Sequence, residues 1–192
     1  MPRLLTGSPW QQFKQKWQDC TNCSLCETRR NVVLCRGKLP CDVLFIGEAP
    51  GPSEDDLGEP FVGPAGHLLD DQIAEALDNA GNTELKLCFT NLVCCIPKNP
   101  DNNAKWSEPP KQTIEACDLR LKEFVSVCKP KLVVLVGDLS AKVLNDRYNE
   151  GFEKEKIIHP AALLRMREND RAKYSLYYNR AVVLLENAFM EI

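Results

Sequence analysis

The chain has 192 residues, a formal net charge of −3 and a hydrophobic fraction of 44%. This length suffices to bury a sizeable core, and we expect one domain over residues 1–192. No apolar run reaches the roughly 20 residues that a membrane span needs, and residues 1–6 are too short for a signal peptide. We therefore expect a cytoplasmic monomer without membrane contact. The acidic balance disfavours a protein that coats nucleic acid, although it leaves room for a locally basic groove.

Hydrophobic periodicity and turn residues predict helices that alternate with strands. In chain order, the expected elements are a helix over 9–19, a cysteine knuckle over 20–26, strands over 31–34 and 41–46, a helix over 67–80, a strand over 86–93, a loop over 96–110, a helix over 110–128, a strand over 131–137, a helix over 139–148, a strand over 156–158 and a helix over 174–189. Such alternation predicts the α/β class, as a three-layer α/β/α domain with a central, mostly parallel sheet.

Three of these strands end in polar or glycine-containing segments. Gly47 and Glu48 follow one strand, Asn91 lies at the end of the next, and His159 follows a third. Ligands of open α/β sheets bind at the carboxyl ends of the strands, which lie along one edge. We therefore expect Glu48, Asn91 and His159 to converge on one crevice. The segment Gly47–Gly51, taken alone, fits an ordinary tight turn equally well.

His159 leaves its predicted strand immediately before Pro160, which disfavours helical geometry at the preceding residue. A histidine at the ligand edge of a sheet can donate a hydrogen bond to negative charge that develops during a reaction. A hydrogen-bonded structural histidine is an equally good interpretation of this position by itself.

Ten cysteines are numerous for a chain without an export signal. Cys20, Cys23 and Cys26 form two overlapping C-x2-C pairs after a predicted helix. Thioredoxin-like redox motifs lie near a βαβ pattern instead, so redox chemistry is disfavoured. Other cysteines, such as Cys88 and Cys128, lie in apolar runs, where a thiol acts as a small core residue.

A four-thiolate site would need two further cysteines besides the C-x2-C pair. The best-placed candidates are Cys94 or Cys95, directly after a predicted strand, and Cys117, on the following helix. A structural zinc ion and an iron–sulfur cluster both accept four thiolates, and the spacing does not choose between them. Ten unliganded thiols remain the simpler alternative.

Several segments occur in a specific order between residues 20 and 165. They are the Cys20–Cys23 pair, Gly47–Gly51, Gly58–Gly66, Asn91–Pro97, Cys117 and His159–Arg165. Each segment is a weak signal alone, but the order and spacing together are specific. This combination resembles the iron–sulfur uracil-DNA glycosylases of family 4.

The resemblance implies a mechanism in which uracil is extruded from DNA into a pocket. Phe61 would stack on the base, and Asn91 would bind its polar edge with one amide donor and one acceptor. His159 would stabilise the negative charge on the departing uracil. Glu48 would orient or activate water, or stabilise the cationic sugar.

The remaining implied sites concern the backbone, the DNA strand and a cofactor. Gly47, Ala49 and Pro50 would supply contacts to the substrate, and Arg165 would approach the DNA. The resemblance also implies a [4Fe–4S] cluster, with four cysteine ligands and with Cys26 and Cys94 as bystanders. The implied ligands are Cys20, Cys23, Cys95 and Cys117.

Two segments depart from the pattern of the family. The stretch between Gly137 and His159 is shorter than usual and carries Glu150, Glu153 and Glu155, and the interval from Cys95 to Cys117 is longer than usual. The shortened, acidic stretch keeps one alternative open, and the undecided metal of the four-thiolate site keeps a second. One is a glycosylase-like module that binds DNA or uracil without catalysis, and the other is a structural zinc protein.

Overall fold

The computed structural model describes residues 7–98, 108–148 and 151–192. Its helices are α1 (Pro9–Trp17), α2 (Pro52–Leu57), α3 (Pro64–Ala80), α4 (Lys111–Cys128), α5 (Asp138–Arg147), α6 (Pro160–Asn169) and α7 (Arg171–Met190). Its strands are β1 (Arg36–Gly37), β2 (Val43–Gly47), β3 (Leu87–Asn91), β4 (Leu132–Val136) and β5 (Glu153–Ile157). A single 3₁₀ turn, Ser24–Glu27, forms part of the cysteine knuckle.

The five strands form one sheet in the order β1-β3-β2-β4-β5. β1 runs antiparallel to β3, and the other neighbouring pairs are parallel. Gly47 lies opposite Asn91 in the pairing of β2 with β3, so the ends of these strands are in register. The predicted α/β class with a mostly parallel sheet is confirmed, and the carboxyl ends of its parallel strands share one edge.

Helices cover both faces of the sheet because successive side chains of a strand point to opposite sides. Leu44 and Ile46 of β2 belong to a core that includes Phe13 of α1 and Phe124 of α4. On the other face, the core contains residues of β2, α3 and α7: Val43, Phe45, Leu69, Ile73, Leu185 and Phe189. β2 and β4 are buried along their whole length, as expected for strands of a parallel sheet covered on both faces.

The strand predicted over 31–34 is wrong. This segment has no regular structure, and its backbone is held by other partners: the Val33 N–H donates to the Cys94 carbonyl, and the N–H groups of Arg30 and Asn31 donate to Asp55 Oδ1. Val32 and Val33, which suggested a strand, are apolar because this segment packs beside Cys94, and they do not pair in a sheet.

Helices α2 and α6 were not expected from hydrophobic periodicity. Both are short, and both begin with a proline directly after a residue of extended backbone, Gly51 or His159. Proline at the first position is preorganised for a helix, which supplies a start signal where periodicity is weak. Part of the predicted loop, 99–107, and the pair 149–150 lie outside the described residues. Within the described ranges, no helix has the length and apolarity to cross a membrane.

Candidate functional site

A cavity lies at the carboxyl edge of the sheet, beside the ends of β2 and β3. We call it the Asn91 cavity, and the residues that line it include Ala49, Gly51, Glu54, Phe61, Asn91 and His159. The expected convergence of Asn91 and His159 is therefore present. Pro50 is buried and lines neither this cavity nor the adjoining one described below.

Gly47 allows the two main side chains of the Asn91 cavity to approach the backbone of β2. A Cβ atom at this position would lie 2.5 Å from Asn91 Oδ1 and 2.6 Å from Phe61 Cζ, closer than atoms tolerate. The side chain of Asn91 is buried, yet its carboxamide forms no hydrogen bond with the described residues. Its donor and acceptor are thus free for a ligand in the cavity.

Phe61 is held in an unusual backbone conformation, with φ of 58°. Residues other than glycine rarely adopt positive φ, and such strain clusters at functional sites. Gly66 at the start of α3 makes the conformation possible, since a Cβ there would lie 2.0 Å from the Phe61 carbonyl oxygen. The ring of Phe61 packs at a tilt against Phe89, with centroids 5.9 Å apart, and this contact fixes its position in the wall.

Glu54 organises the loop around the cavity and was not predicted as a site residue. Its carboxylate accepts hydrogen bonds from the backbone N–H groups of Gly51, Val62 and Gly63, at 3.0, 3.0 and 2.8 Å. It thereby ties the turn after β2 to the segment that carries Phe61. A glutamate at the third position of a helix that starts Gly-Pro is a capping signal that could have indicated this role.

His159 is the N-terminal cap of α6, and its ring has a defined protonation state. The Ala161 N–H donates to His159 Nδ1 at 3.1 Å, so the neutral ring carries its proton on Nε2. Burial, together with the nearby Arg165 guanidinium, lowers the pKa of His159 to about 4. At neutral pH the residue is therefore an uncharged Nε2–H donor.

A second cavity adjoins the first and shares His159 and Ala161 with it. We call it the Glu48 cavity, and its lining includes Glu48, Glu108, Gly137, Asp138, His159 and Arg165. Gly137, at φ of 99°, lets the backbone pass close to the side chains of Glu48 and His159, the two predicted catalytic residues. A Cβ there would lie 2.8 Å from Glu48 Oε1 and 3.2 Å from the His159 ring.

The electrostatics of the Glu48 cavity are dominated by carboxylates. The pKa of Glu48 is raised, first by burial and then by the charges of Glu108 and Asp138, while the Leu139 N–H opposes the shift. Arg165 is exposed at the rim and supplies the opposite charge. The structure thus separates the predicted residues into a neutral group around Asn91 and a charged group around Glu48.

The four predicted cluster ligands line a third cavity, between the knuckle, the segment after β3 and α4. This cysteine cavity is lined by Trp17, Asn22, Arg120 and five thiols, among other residues. The thiols are those of Cys20, Cys23, Cys94, Cys95 and Cys117. None is in a disulfide. Among the described residues, no three His, Cys, Asp or Glu side chains come close enough to bind one metal ion.

Burial raises the pKa of the Cys23 thiol and raises that of Cys95 to about 12, and in each case Cys117 is among the neighbours that add to the shift. Crowded thiols of this kind are costly to ionise unless a cation is bound, whereas a bound metal removes their protons. Arg29 donates to Cys95 Sγ at 3.6 Å, which favours the thiolate form. The chemistry of these donors therefore fits a thiolate-ligated metal group.

The other cysteines lie elsewhere. Cys26 does not line the cysteine cavity, whereas Cys94, the other expected bystander, does. The remaining four belong to or border the core under α1 and α4 and touch one another there; they are Cys35, Cys41, Cys88 and Cys128. The expectation that Cys88 and Cys128 act as core residues is confirmed by their complete burial.

Comparisons with known proteins agree with this arrangement. Residues 36–182 match the model of the Uracil DNA glycosylase superfamily. A type-4 uracil-DNA glycosylase of Pyrobaculum aerophilum is 35% identical over 144 residues, which cover 75% of this chain and 68% of the relative. The relatives with the same name from Sulfurisphaera tokodaii and Thermotoga maritima are 33% and 31% identical. The matched regions cover 80% and 81% of this chain, and 75% and 83% of the respective relatives.

Proposed function

We propose, from the premise that the chain belongs to the uracil-DNA glycosylase superfamily, that it is a monofunctional type-4 uracil-DNA glycosylase. It flips uracil out of DNA and hydrolyses the N-glycosidic bond, which leaves an abasic site for base excision repair. The observation that carries the proposal is that Phe61, Asn91 and the Nε2–H donor His159 line one cavity at the ligand edge of the sheet.

In this proposal the Asn91 cavity binds and recognises the base. The unpaired carboxamide of Asn91 offers one donor and one acceptor, which match the alternating polar groups on the edge of uracil. Phe61 supplies a flat apolar surface for the ring, Ala49 lines the same cavity, and Gly47 lets Asn91 and Phe61 approach the backbone closely. A site built to hydrogen-bond one edge discriminates strongly against bases that leave those groups unpaired.

Bond cleavage places negative charge on uracil and positive charge on the sugar. His159 donates its Nε2–H to the uracil oxygen as that charge develops, and it can do so at neutral pH because its ring is uncharged and its tautomer is fixed. One preorganised donor of this kind contributes about 3–4 kcal/mol in comparable oxyanion sites. The departing base thus leaves as a stabilised anion.

Glu48 lines the adjoining cavity, which shares His159 with the Asn91 cavity, and in this proposal that cavity receives the sugar and the attacking water. Its carboxylate can orient or activate that water, or stabilise the cationic sugar. Arg165, at the exposed rim of the same cavity, would contact a phosphate of the DNA strand. Glu108 and Asp138 oppose DNA binding there, because they repel phosphates.

The proposed cofactor is a [4Fe–4S] cluster held by Cys20, Cys23, Cys95 and Cys117. Thiols that surround a cavity without converging on one ion suit a cluster, in which each iron takes one thiolate, better than zinc, which needs all four within about 2.3 Å. When bound, the cluster supplies a cross-link between the knuckle, the segment after β3 and α4. Glycosidic hydrolysis itself transfers no electrons.

A second candidate is a module that binds uracil-containing DNA without cleaving it. The carboxylates of the Glu48 cavity favour it, since they weaken contact with the phosphates that must lie near the sugar. The one-domain organisation, the monomeric state and the cytoplasmic location stay predictions.

The test is release of free uracil from DNA by anaerobically prepared protein, with iron and zinc measured on the same sample. Oligonucleotides with uracil, single-stranded or opposite guanine, are the substrates, and the same sequences with thymine are the control. Release of uracil alone, by protein with the brown colour of an iron–sulfur cluster, supports the proposal. Binding without release favours the module, and stoichiometric zinc without iron overturns the proposed cofactor.

A further inference from the structure

Arg120 is a buried cation between the cysteine cavity and the Asn91 cavity. It lies on α4, one turn after Cys117, and only 2% of the residue is exposed. A guanidinium stays protonated in a protein, and a buried charge is costly unless neighbouring groups compensate it. The contacts of Arg120 therefore indicate what this position requires.

One side of the guanidinium holds the end of β3. Its Nη1 donates to Thr90 Oγ1 at 3.1 Å, and its Nη2 donates to the carbonyls of Asn91 and Leu92 at 2.7 and 2.8 Å. These three acceptors span the residues from which the Asn91 side chain enters its cavity. Arg120 thus fixes the backbone that presents the base-reading carboxamide.

The hydrogen-bonding capacity of the guanidinium is not fully satisfied. The Nε atom of Arg120 is buried without a hydrogen-bond partner, and within the described ranges no carboxylate forms an ion pair with this residue. Asp118, the acidic residue nearest in sequence, instead pairs with Lys122 and Arg147. Arg120 also lines the cysteine cavity, so a buried guanidinium without a carboxylate partner among the described residues borders the proposed cluster site.

We propose that Arg120 is a positioning residue that links the cluster to base recognition, because its charge compensates the negatively charged thiolate cluster while its hydrogen bonds hold Asn91 in place. The inference rests on the proposed cluster and adds a role for a residue outside the ligand set. Hydrogen bonds and nearby charge set the reduction potential of an iron–sulfur cluster. Loss of the cation should therefore shift that potential, whereas loss of the bonds to β3 should weaken uracil binding.

Two substitutions separate these effects. Arg120→Gln removes the charge, so the midpoint potential of the cluster should become more negative. It also removes charge-assisted hydrogen bonds to β3, so affinity for uracil-containing DNA should fall about 10- to 100-fold. Arg120→Lys keeps the charge but cannot reach all three acceptors of β3. It should retain most of the wild-type potential and still lose affinity. Lys122→Gln, which removes one charge from a largely exposed side chain of the same helix, is the matched control.

The experiment measures the potential by voltammetry, and affinity by anisotropy of a duplex that contains non-cleavable 2′-fluoro-deoxyuridine. Wild-type protein that holds no cluster overturns the inference together with the proposed cofactor. Wild-type protein with a cluster and uracil release, whose Arg120→Gln variant matches it in potential and affinity, overturns the inference alone. If Arg120→Gln does not fold, Arg120→Lys decides: wild-type potential with weakened binding supports the link, and any other combination contradicts it.

Discussion

The Asn91 cavity and the Glu48 cavity lie side by side and share His159, yet the residues that line them differ in charge. The Asn91 cavity is formed by close backbone contacts and neutral groups. Its one acidic side chain, Glu54, is occupied by three backbone N–H groups. The Glu48 cavity carries three carboxylates and an exposed arginine. His159 therefore borders both the Asn91 cavity, whose lining is mainly neutral, and the Glu48 cavity, whose lining is charged.

This difference assigns separate tasks to the two cavities. A rigid neutral site suits recognition of an uncharged base, because its unpaired polar groups select one pattern of hydrogen bonds. A charged site suits the sugar, where positive charge grows, and the neighbouring phosphates. Changes in the Asn91 cavity should act on binding and geometry, whereas changes in the Glu48 cavity should act on pH and salt dependence.

The largest expected effect is removal of the group that the cavities share. His159→Ala should lower the single-turnover rate of uracil release about 10²- to 10³-fold, because it deletes one preorganised donor to the departing anion. His67, an exposed histidine on α3, provides the matched control, and His67→Ala should keep the wild-type rate. A rate for His159→Ala within a few-fold of wild type would contradict the role of His159.

A smaller effect should follow from a change that disturbs only the geometry of the Asn91 cavity. In Gly47→Ala the new methyl group must displace Asn91 or Phe61, and a displacement of about 1 Å can cost up to about 100-fold in rate. Release kinetics and thermal stability are measured on the same samples.

The control for Gly47→Ala is Gly81→Ala, at the C-cap of α3. No atom lies within 4 Å of the Cβ built there, but φ is 64°, so this change should lower thermal stability and leave release kinetics alone. If both variants lose activity in proportion to stability, the close approach at Gly47 has no special role.

The smallest expected effect concerns pH and tests whether His159 is neutral. An unfolded histidine titrates near 6.5, whereas His159 titrates at about 4. The unfolded chain thus binds more protons between these values, so stability falls as the pH decreases through that window and is independent of this group above it. Nitrogen NMR of the ring between about pH 6 and pH 8 should show the Nε2–H tautomer without titration. A midpoint near 6.5 would contradict the neutral donor.

Three residues of the Asn91 cavity, Phe61, Asn91 and His159, could be predicted from the sequence, whereas Glu54 was missed. Asn91 ends β3 and His159 follows β5, whereas Phe61 was identified through the resemblance that the segment Gly58–Gly66 carries. The strand predicted over 31–34 failed because apolar β-branched residues indicate burial, and burial beside Cys94 satisfies the pattern without a sheet partner.

Residues whose contacts are distant in sequence could not be predicted from local patterns. Arg120 looks like an ordinary charged position on an amphipathic helix, and only the packing of α4 against β3 gives it three backbone and side-chain acceptors. The approach of Gly137 to Glu48 and His159 likewise depends on the order of the strands in the sheet. Tertiary packing, which a local pattern does not encode, decides both.

The most direct test of the division between the two cavities is a crystal structure of the protein with uracil bound. We expect the base in the Asn91 cavity, with its ring on Phe61, its polar edge on the Asn91 carboxamide and one oxygen at His159 Nε2. The Glu48 cavity should hold water and no base. Uracil in the Glu48 cavity, or in the Asn91 cavity without contact to Asn91 and His159, would contradict the account.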